Sequence, residues 1–175
     1  MPAWGDPQAW LAVIGMAPGK HGANRTGRPF TGDHAGVLLF DTLKAHGLAE
    51  GEYRADPGDG YRLTGSVILN AVKCLPPENK PLPEEAGNCR RYLLPQLASL
   101  SDVRVIIALG QIAHASLVRT LGGVPARAKF GHLSEHVLDR YTVLGSYHCS
   151  RYNQNTGKLT AAMFEAVFAR ALELR

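Results

Sequence analysis

Cysteine is scarce in this 175-residue chain, which has three: Cys74, Cys89 and Cys149. An odd number with no secretion signal argues against a disulfide framework, and the default for each is a small buried residue. Long apolar runs are missing too; none approaches the roughly 20 residues that span a bilayer. The opening MPAWGDPQAW has no basic region followed by an apolar stretch and a small-residue cleavage site. A cytoplasmic protein with no membrane partner is therefore expected. The chain contains no Walker loop, no GxGxxG and no HExxH, so a zinc- or nucleotide-binding enzyme ranks well below other readings. It has no internal repeat and no low-complexity segment.

What is there is ordinary for a globular protein: 45% hydrophobic and 19% charged residues. The length suits one domain, residues 1–175, with a real core. The net charge of +4 hints at a polyanionic partner, although a solvated basic surface explains it equally well. The basic residues Lys20, Arg25, Arg28, Lys80, Arg151 and Lys158 sit in loops rather than in one dense tail.

Apolar runs at 10–16 (WLAVIGM), 65–74, 103–110 and 141–146 read as buried strands. Helical spacing of apolar residues covers 34–47, 84–100, 111–122 and 159–174, with Pro95 a kink or break in the second of these. Residues 49–62 read as a polar, glycine-rich loop, and LPPENKPLP (75–83) has too many prolines for regular structure. Alternating strands and helices, with continuously apolar strands, predict an α/β fold. Specifically, a three-layer α/β/α sandwich is expected, around a central, mainly parallel four-stranded sheet. Ligands in such folds bind outside the carboxyl ends of the strands. The polar loops 17–33, 75–83 and 147–158 leave strands at that edge and should converge on one site.

The first of these loops contains GRPFTGDHAG (27–36), which surrounds one phenylalanine and one aspartate with glycine. Asp33 stands where a helix N-cap would be, and that is its plain structural role. Phe30 is equally plainly a core residue. The alternative is that the loop holds a flat heteroaromatic ligand and a water molecule together, with Gly27, Gly32 and Gly36 letting backbone approach the ligand.

The segments GMAPGKHGANRTGRPFTGD, NAVKCLPPENKPLPEEAGNC and GSYHCSRYNQNTGKLTAAMF resemble, in order, three motif regions of the uracil-DNA glycosylase superfamily, most nearly its family 5, or type B. The resemblance implies a base-excision repair hydrolase. Such an enzyme cleaves the N-glycosidic bond of uracil, and of other deaminated bases, in DNA after flipping the base into a pocket. It further implies that Phe30 stacks on the base. Asn70 departs from type B, which tends to carry a small residue there, and resembles family 4; its amide would read the O4 and N3–H edge, which leans the substrate toward uracil itself. Gly15, Ala17, His21 and Asn24 would line the same pocket. Asp33 would position water and stabilise cationic charge on the sugar, His148 would donate to the departing base, and Asn79 would assist near the sugar or water. Arg25, Arg28, Lys80, Arg151 and Lys158 are the candidates for the DNA backbone. Family 4 and 5 enzymes carry a 4Fe-4S cluster on four cysteines. Cys74 and Cys89 match the second pair, whereas the C-x-x-C unit of the first pair is absent, so the set is incomplete and Cys149 matches no ligand. A monomer is implied. A second reading is a non-catalytic binder of damaged or single-stranded DNA on the same fold.

Overall fold

The computed structural model describes all residues 1–175. Its strands are β1 (Trp4–Gly5), β2 (Leu11–Gly15), β3 (Ala49–Glu50), β4 (Arg62–Leu63), β5 (Ser66–Asn70), β6 (Val105–Leu109), β7 (Glu135–Leu138) and β8 (Tyr141–Ser146). Its helices are α1 (Ala23–Thr26), α2 (His34–Ala45), α3 (Pro83–Ala98), α4 (Gln111–Thr120), α5 (Arg151–Asn155) and α6 (Ala161–Glu173), with a 3-10 turn at Pro77–Asn79.

The main sheet has six strands in the order β1-β5-β2-β6-β8-β7. Its inner strands β5, β2, β6 and β8 are parallel and are the four expected from apolar runs. The short edge strands β1 and β7 are antiparallel and correct the expected strand count. Neither has a continuous apolar run: β1 is two residues long and β7 alternates exposed with half-buried positions. The segment 49–62 is likewise not all loop, because β3 and β4 pair at its ends.

Every residue of β2, β5 and β6 is buried, because successive side chains point to opposite faces and both faces are covered. Leu11, Val13, Ile68, Val105 and Ile107 pack on one face, with Leu39, Phe40, Phe164, Val167 and Phe168 from α2 and α6. Ala12, Ile14, Val67, Leu69, Ile106 and Ala108 pack on the other, with Leu93, Leu97, Ala113 and Leu117 from α3 and α4. This is the three-layer sandwich. Pro95 lies inside α3 without ending it, and the helix stays docked through Leu93 and Leu97, both fully buried. Each large side chain buried this way contributes about 1.5–3 kcal/mol.

The strand register sets the site. Gly15 at the end of β2 lies beside Asn70 at the end of β5, and Leu109 at the end of β6 lies beside Ser146 at the end of β8. The loops that follow, 16–33, 71–82 and 147–150, leave from one edge of the sheet.

Candidate active site

Those loops enclose a cleft of about 340 Å³ lined by Ala17, His21, Phe30, Asp33, Asn70, Asn79, His148 and Arg151 among others. Its volume suits one small ligand. Residues as far apart in the chain as Ala17 and Arg151 thus meet at the predicted edge.

Phe30 resolves its two readings together. It is 7% exposed and belongs to the core cluster, yet it also lines the cleft. Its backbone is left-handed, with φ of 60°. For a residue with a side chain that costs on the order of 1–3 kcal/mol and persists only when the surroundings over-determine it. Gly15 lies directly beneath: a Cβ there would stand 2.8 Å from both the Phe30 Cζ and the Asn70 Oδ1. Gly15 therefore does not line the cleft but lets the ring and the amide lie side by side.

Asp33 occupies the N-cap position of α2, yet its side chain makes no capping hydrogen bond. The carboxylate instead turns into the glycine-rich loop, where Cβ atoms added at Gly22 and Gly19 would approach it to 2.0 and 2.7 Å. Burial raises its pKa above the ordinary value, while His21 and the Ala23 backbone N–H pull it down. The result is a partly desolvated carboxylate pointing away from its helix and into a cleft.

His148 arrives from β8. A Cβ at Gly110, the residue after β6, would lie 3.5 Å from the His148 Cβ. The Asn153 side-chain amide donates to the His148 carbonyl at 2.8 Å, and the Gln154 amide donates to the Cys149 carbonyl at 2.7 Å. The imidazole is roughly parallel to the Phe30 ring, with centroids 6.1 Å apart and an interplanar angle of 27°. Burial lowers its pKa, so the ring is neutral near pH 7 and keeps one N–H to donate. Asn70 is 3% exposed, and its backbone carbonyl accepts from the Lys73 ammonium at 2.7 Å. Lys73 also bonds the Gln96 side chain, and burial lowers its pKa to about 8. Asn79 and its neighbour Glu78 are both left-handed, with φ of 57° and 52°. Two adjacent strained residues at a cleft rim are the kind of backbone that functional loops retain.

Some sequence expectations need correction. Arg28 is not available to the DNA backbone: it is 3% exposed and forms a two-pronged ion pair with Asp59 at 2.7 and 2.8 Å. Its guanidinium also lies 5.3–5.6 Å from the ring centroids of Trp4, Phe40 and Tyr53. An aromatic box and a carboxylate hold the charge that the sequence left looking free. Asn24 sits exposed on α1 and does not line the cleft. Arg25, Lys80, Arg151 and Lys158 are exposed, with Arg25 tied to the His21 carbonyl at 3.0 Å and Lys158 over the Tyr147 ring at 5.2 Å. Met16, Lys20, His34 and Ser150 also line the cleft. Sequence reasoning missed them as site residues, although each lies within the motif loops or one residue beyond them.

The cysteines stand apart from this chemistry. Cys149 is fully buried, and burial pushes its thiol up to about 12. Cys74 is exposed and Cys89 half-buried, with the Cys89 sulfur accepting the Lys73 N–H at 3.4 Å. No group of three or more His, Cys, Asp or Glu side chains is placed to hold a metal ion. Two thiols do not fit a four-thiolate cluster by themselves. No helix is long and apolar enough to cross a membrane.

Comparison with known proteins agrees with the geometry. The sequence pattern of the Uracil DNA glycosylase superfamily matches residues 2–172. A type-5 uracil-DNA glycosylase of Thermus thermophilus is 44% identical over 176 residues, covering 99% of this chain and 80% of that protein. One from Pyrobaculum aerophilum is 40% identical over 171 residues, covering 98% and 74%. With a match of that extent laid over a sheet edge that gathers the same three loops, the chain belongs to the uracil-DNA glycosylase superfamily and is similar to its type-5 members.

Proposed function

We propose that this protein is a uracil-DNA glycosylase that acts in base-excision repair, hydrolysing the N-glycosidic bond of uracil in DNA and leaving an abasic site. The observation that carries the reading is the Asp33 carboxylate, which forgoes capping α2 and lies in the cleft that Phe30, Asn70 and His148 also line.

The chemistry follows from the charges that develop. A base inside a duplex is out of reach, so the nucleotide must be extruded into the cleft. There the base stacks on Phe30, an interaction worth roughly 1–3 kcal/mol, and the Asn70 amide pairs with its O4 and N3–H edge. As the bond from C1′ to the base nitrogen breaks, its electron pair leaves with the base and the sugar becomes cationic. Asp33 stabilises that cation and accepts a proton from the water that adds to C1′. Neutral His148 donates a hydrogen bond to the base O2 as negative charge builds there. Asn79 assists at the sugar. Ala17 and His21 shape the cleft, and Arg25, Lys80, Arg151 and Lys158 contact phosphates around it. Other deaminated bases fit the same scheme where their edge accepts the Asn70 amide. Any iron-sulfur cluster using Cys74 and Cys89 needs two further thiolates, and no step above depends on it. The protein acts as a monomer and takes no membrane partner.

The test is incubation with a uracil-containing oligonucleotide followed by alkali. Strand cleavage is expected, with losses on the order of 10²–10⁴-fold in Asp33→Ala and 10²–10³-fold in His148→Ala. DNA binding with no cleavage by folded wild-type protein leaves a non-catalytic binder instead.

A further inference from the structure

The loop that links α2 to β5 looks idle in the sequence, and yet it grips the turn that carries Phe30 and Asp33. The Tyr53 hydroxyl accepts the Gly32 N–H at 3.2 Å and donates to the Phe30 carbonyl at 3.4 Å. The same Phe30 carbonyl accepts the Asp33 N–H at 3.4 Å. One hydroxyl therefore closes the turn between the stacking ring and the carboxylate. Gly36 lets it in: a Cβ there would stand 2.7 Å from the hydroxyl and 2.2 Å from the Phe30 oxygen.

Behind Tyr53 lies a rigid anchor. Asp59 takes both Arg28 prongs and also accepts the Arg54 and Tyr61 N–H groups, each at 2.9 Å. The Arg28 and Asp59 side chains are only 4% and 1% exposed. Arg28 also donates its Nε–H to the Thr31 hydroxyl, which ties the buried pair to the turn just after Phe30. The Tyr53 ring lies 4.4 Å from the Phe40 ring, centroid to centroid, which fixes where its hydroxyl points.

We propose that Tyr53, seated on the buried Arg28–Asp59 pair, is a positioning residue that holds Phe30 and Asp33 in the geometry the cleavage step requires. It touches no reacting atom. A left-handed Phe30 persists only if something outside the turn pins it, and the Tyr53 hydroxyl is the polar side chain from outside the motif loops that does so. The inference rests on the glycosylase reading above. Small displacements of a catalytic group lower the rate steeply, about 10²-fold for 1 Å.

The decisive variant is Tyr53→Phe, which keeps the ring and removes only the hydroxyl. Tyr61→Phe is the matched control, because its hydroxyl bonds the Phe40 carbonyl in the same aromatic cluster and does not touch the turn. Both are assayed on a uracil oligonucleotide across pH, and hydrogen exchange of the Gly32 amide is followed by NMR. Tyr53→Phe is expected to lower kcat on the order of tenfold with KM near wild type. Its acid limb should move to lower pH as Asp33 relaxes toward water, and the Gly32 amide should exchange faster. Tyr61→Phe should lose stability and change none of these. A kcat and acid limb in Tyr53→Phe equal to those of wild type overturn the inference and leave the glycosylase reading intact. A wild-type protein that does not cleave uracil DNA overturns both.

Discussion

The Asp33 carboxylate lies over the Cα of Gly22 so closely that a Cβ there would be 2.0 Å from its Oδ2. Asp33 and Gly22 are therefore one structural unit: the aspartate reaches the cleft only because position 22 has no side chain.

Gly22→Ala should push the carboxylate out of place. Overpacking of this kind costs about 1–3 kcal/mol, which leaves the protein folded, whereas a 1 Å displacement of Asp33 lowers cleavage about 10²-fold. Single-turnover rates beside a thermal melt test it. A stable Gly22→Ala protein with wild-type turnover would show that the close approach does not matter.

Asp33→Asn should be more stable than wild type at pH 7 and far less active. Burial raises the folded pKa of Asp33 above 3.8, so the native state binds its proton more readily than the unfolded chain. Ionisation at neutral pH therefore opposes folding. The advantage of Asp33→Asn should fade as pH falls through the raised folded pKa toward 3.8 and vanish below it. Melts at pH 7 and pH 3.5, compared between the two proteins, carry the sign.

Histidines act the other way in pH. Burial lowers the pKa values of His114, His132 and His148 from 6.5. The unfolded chain thus holds more protons than the native state below about pH 7, and stability should fall as pH drops from 7 toward 5. The bonding of His132 explains part of this. Its Nδ1 accepts the Tyr147 N–H at 3.3 Å, and its Nε2 lies 3.1 Å from the Met163 carbonyl. A second proton on Nδ1 would face another donor. Denaturant midpoints across that pH range should fall less steeply in His132→Gln, and an unchanged slope would assign the effect to the other two rings.

Arg28 and the exposed cations should separate cleanly. Removing one partner of a buried ion pair costs about 3–5 kcal/mol, so Asp59→Ala should lower the melting temperature sharply. Lys80→Ala and Arg151→Ala should barely change it. Each of those should instead weaken DNA binding across sequences and reduce the slope of log affinity against log salt by about one. Salt titrations with labelled DNA distinguish the two kinds of residue.

The sequence by itself determined the four-stranded parallel centre and the edge on which function lies. A strand covered on both faces must be apolar at every position, as Leu11–Ile14 and Val105–Leu109 are, and that pattern is local. Phe30, Asp33 and His148 were legible through the resemblance of their loops to glycosylase motifs, whereas glycine and proline mark only where strands give way to loops at that edge. What tertiary structure decided were the partnerships. β1 and β7 exist because Trp4 meets Ile68 and Val137 meets Thr142, not because of their own composition. Arg28 reads as a free loop cation until Asp59, 31 residues away, closes on it under three aromatic rings. Tyr53 reads as loop until its hydroxyl meets the Phe30 carbonyl. Burial of charge and closure of a hydrogen bond depend on which distant atoms arrive, and no local pattern encodes that arrival.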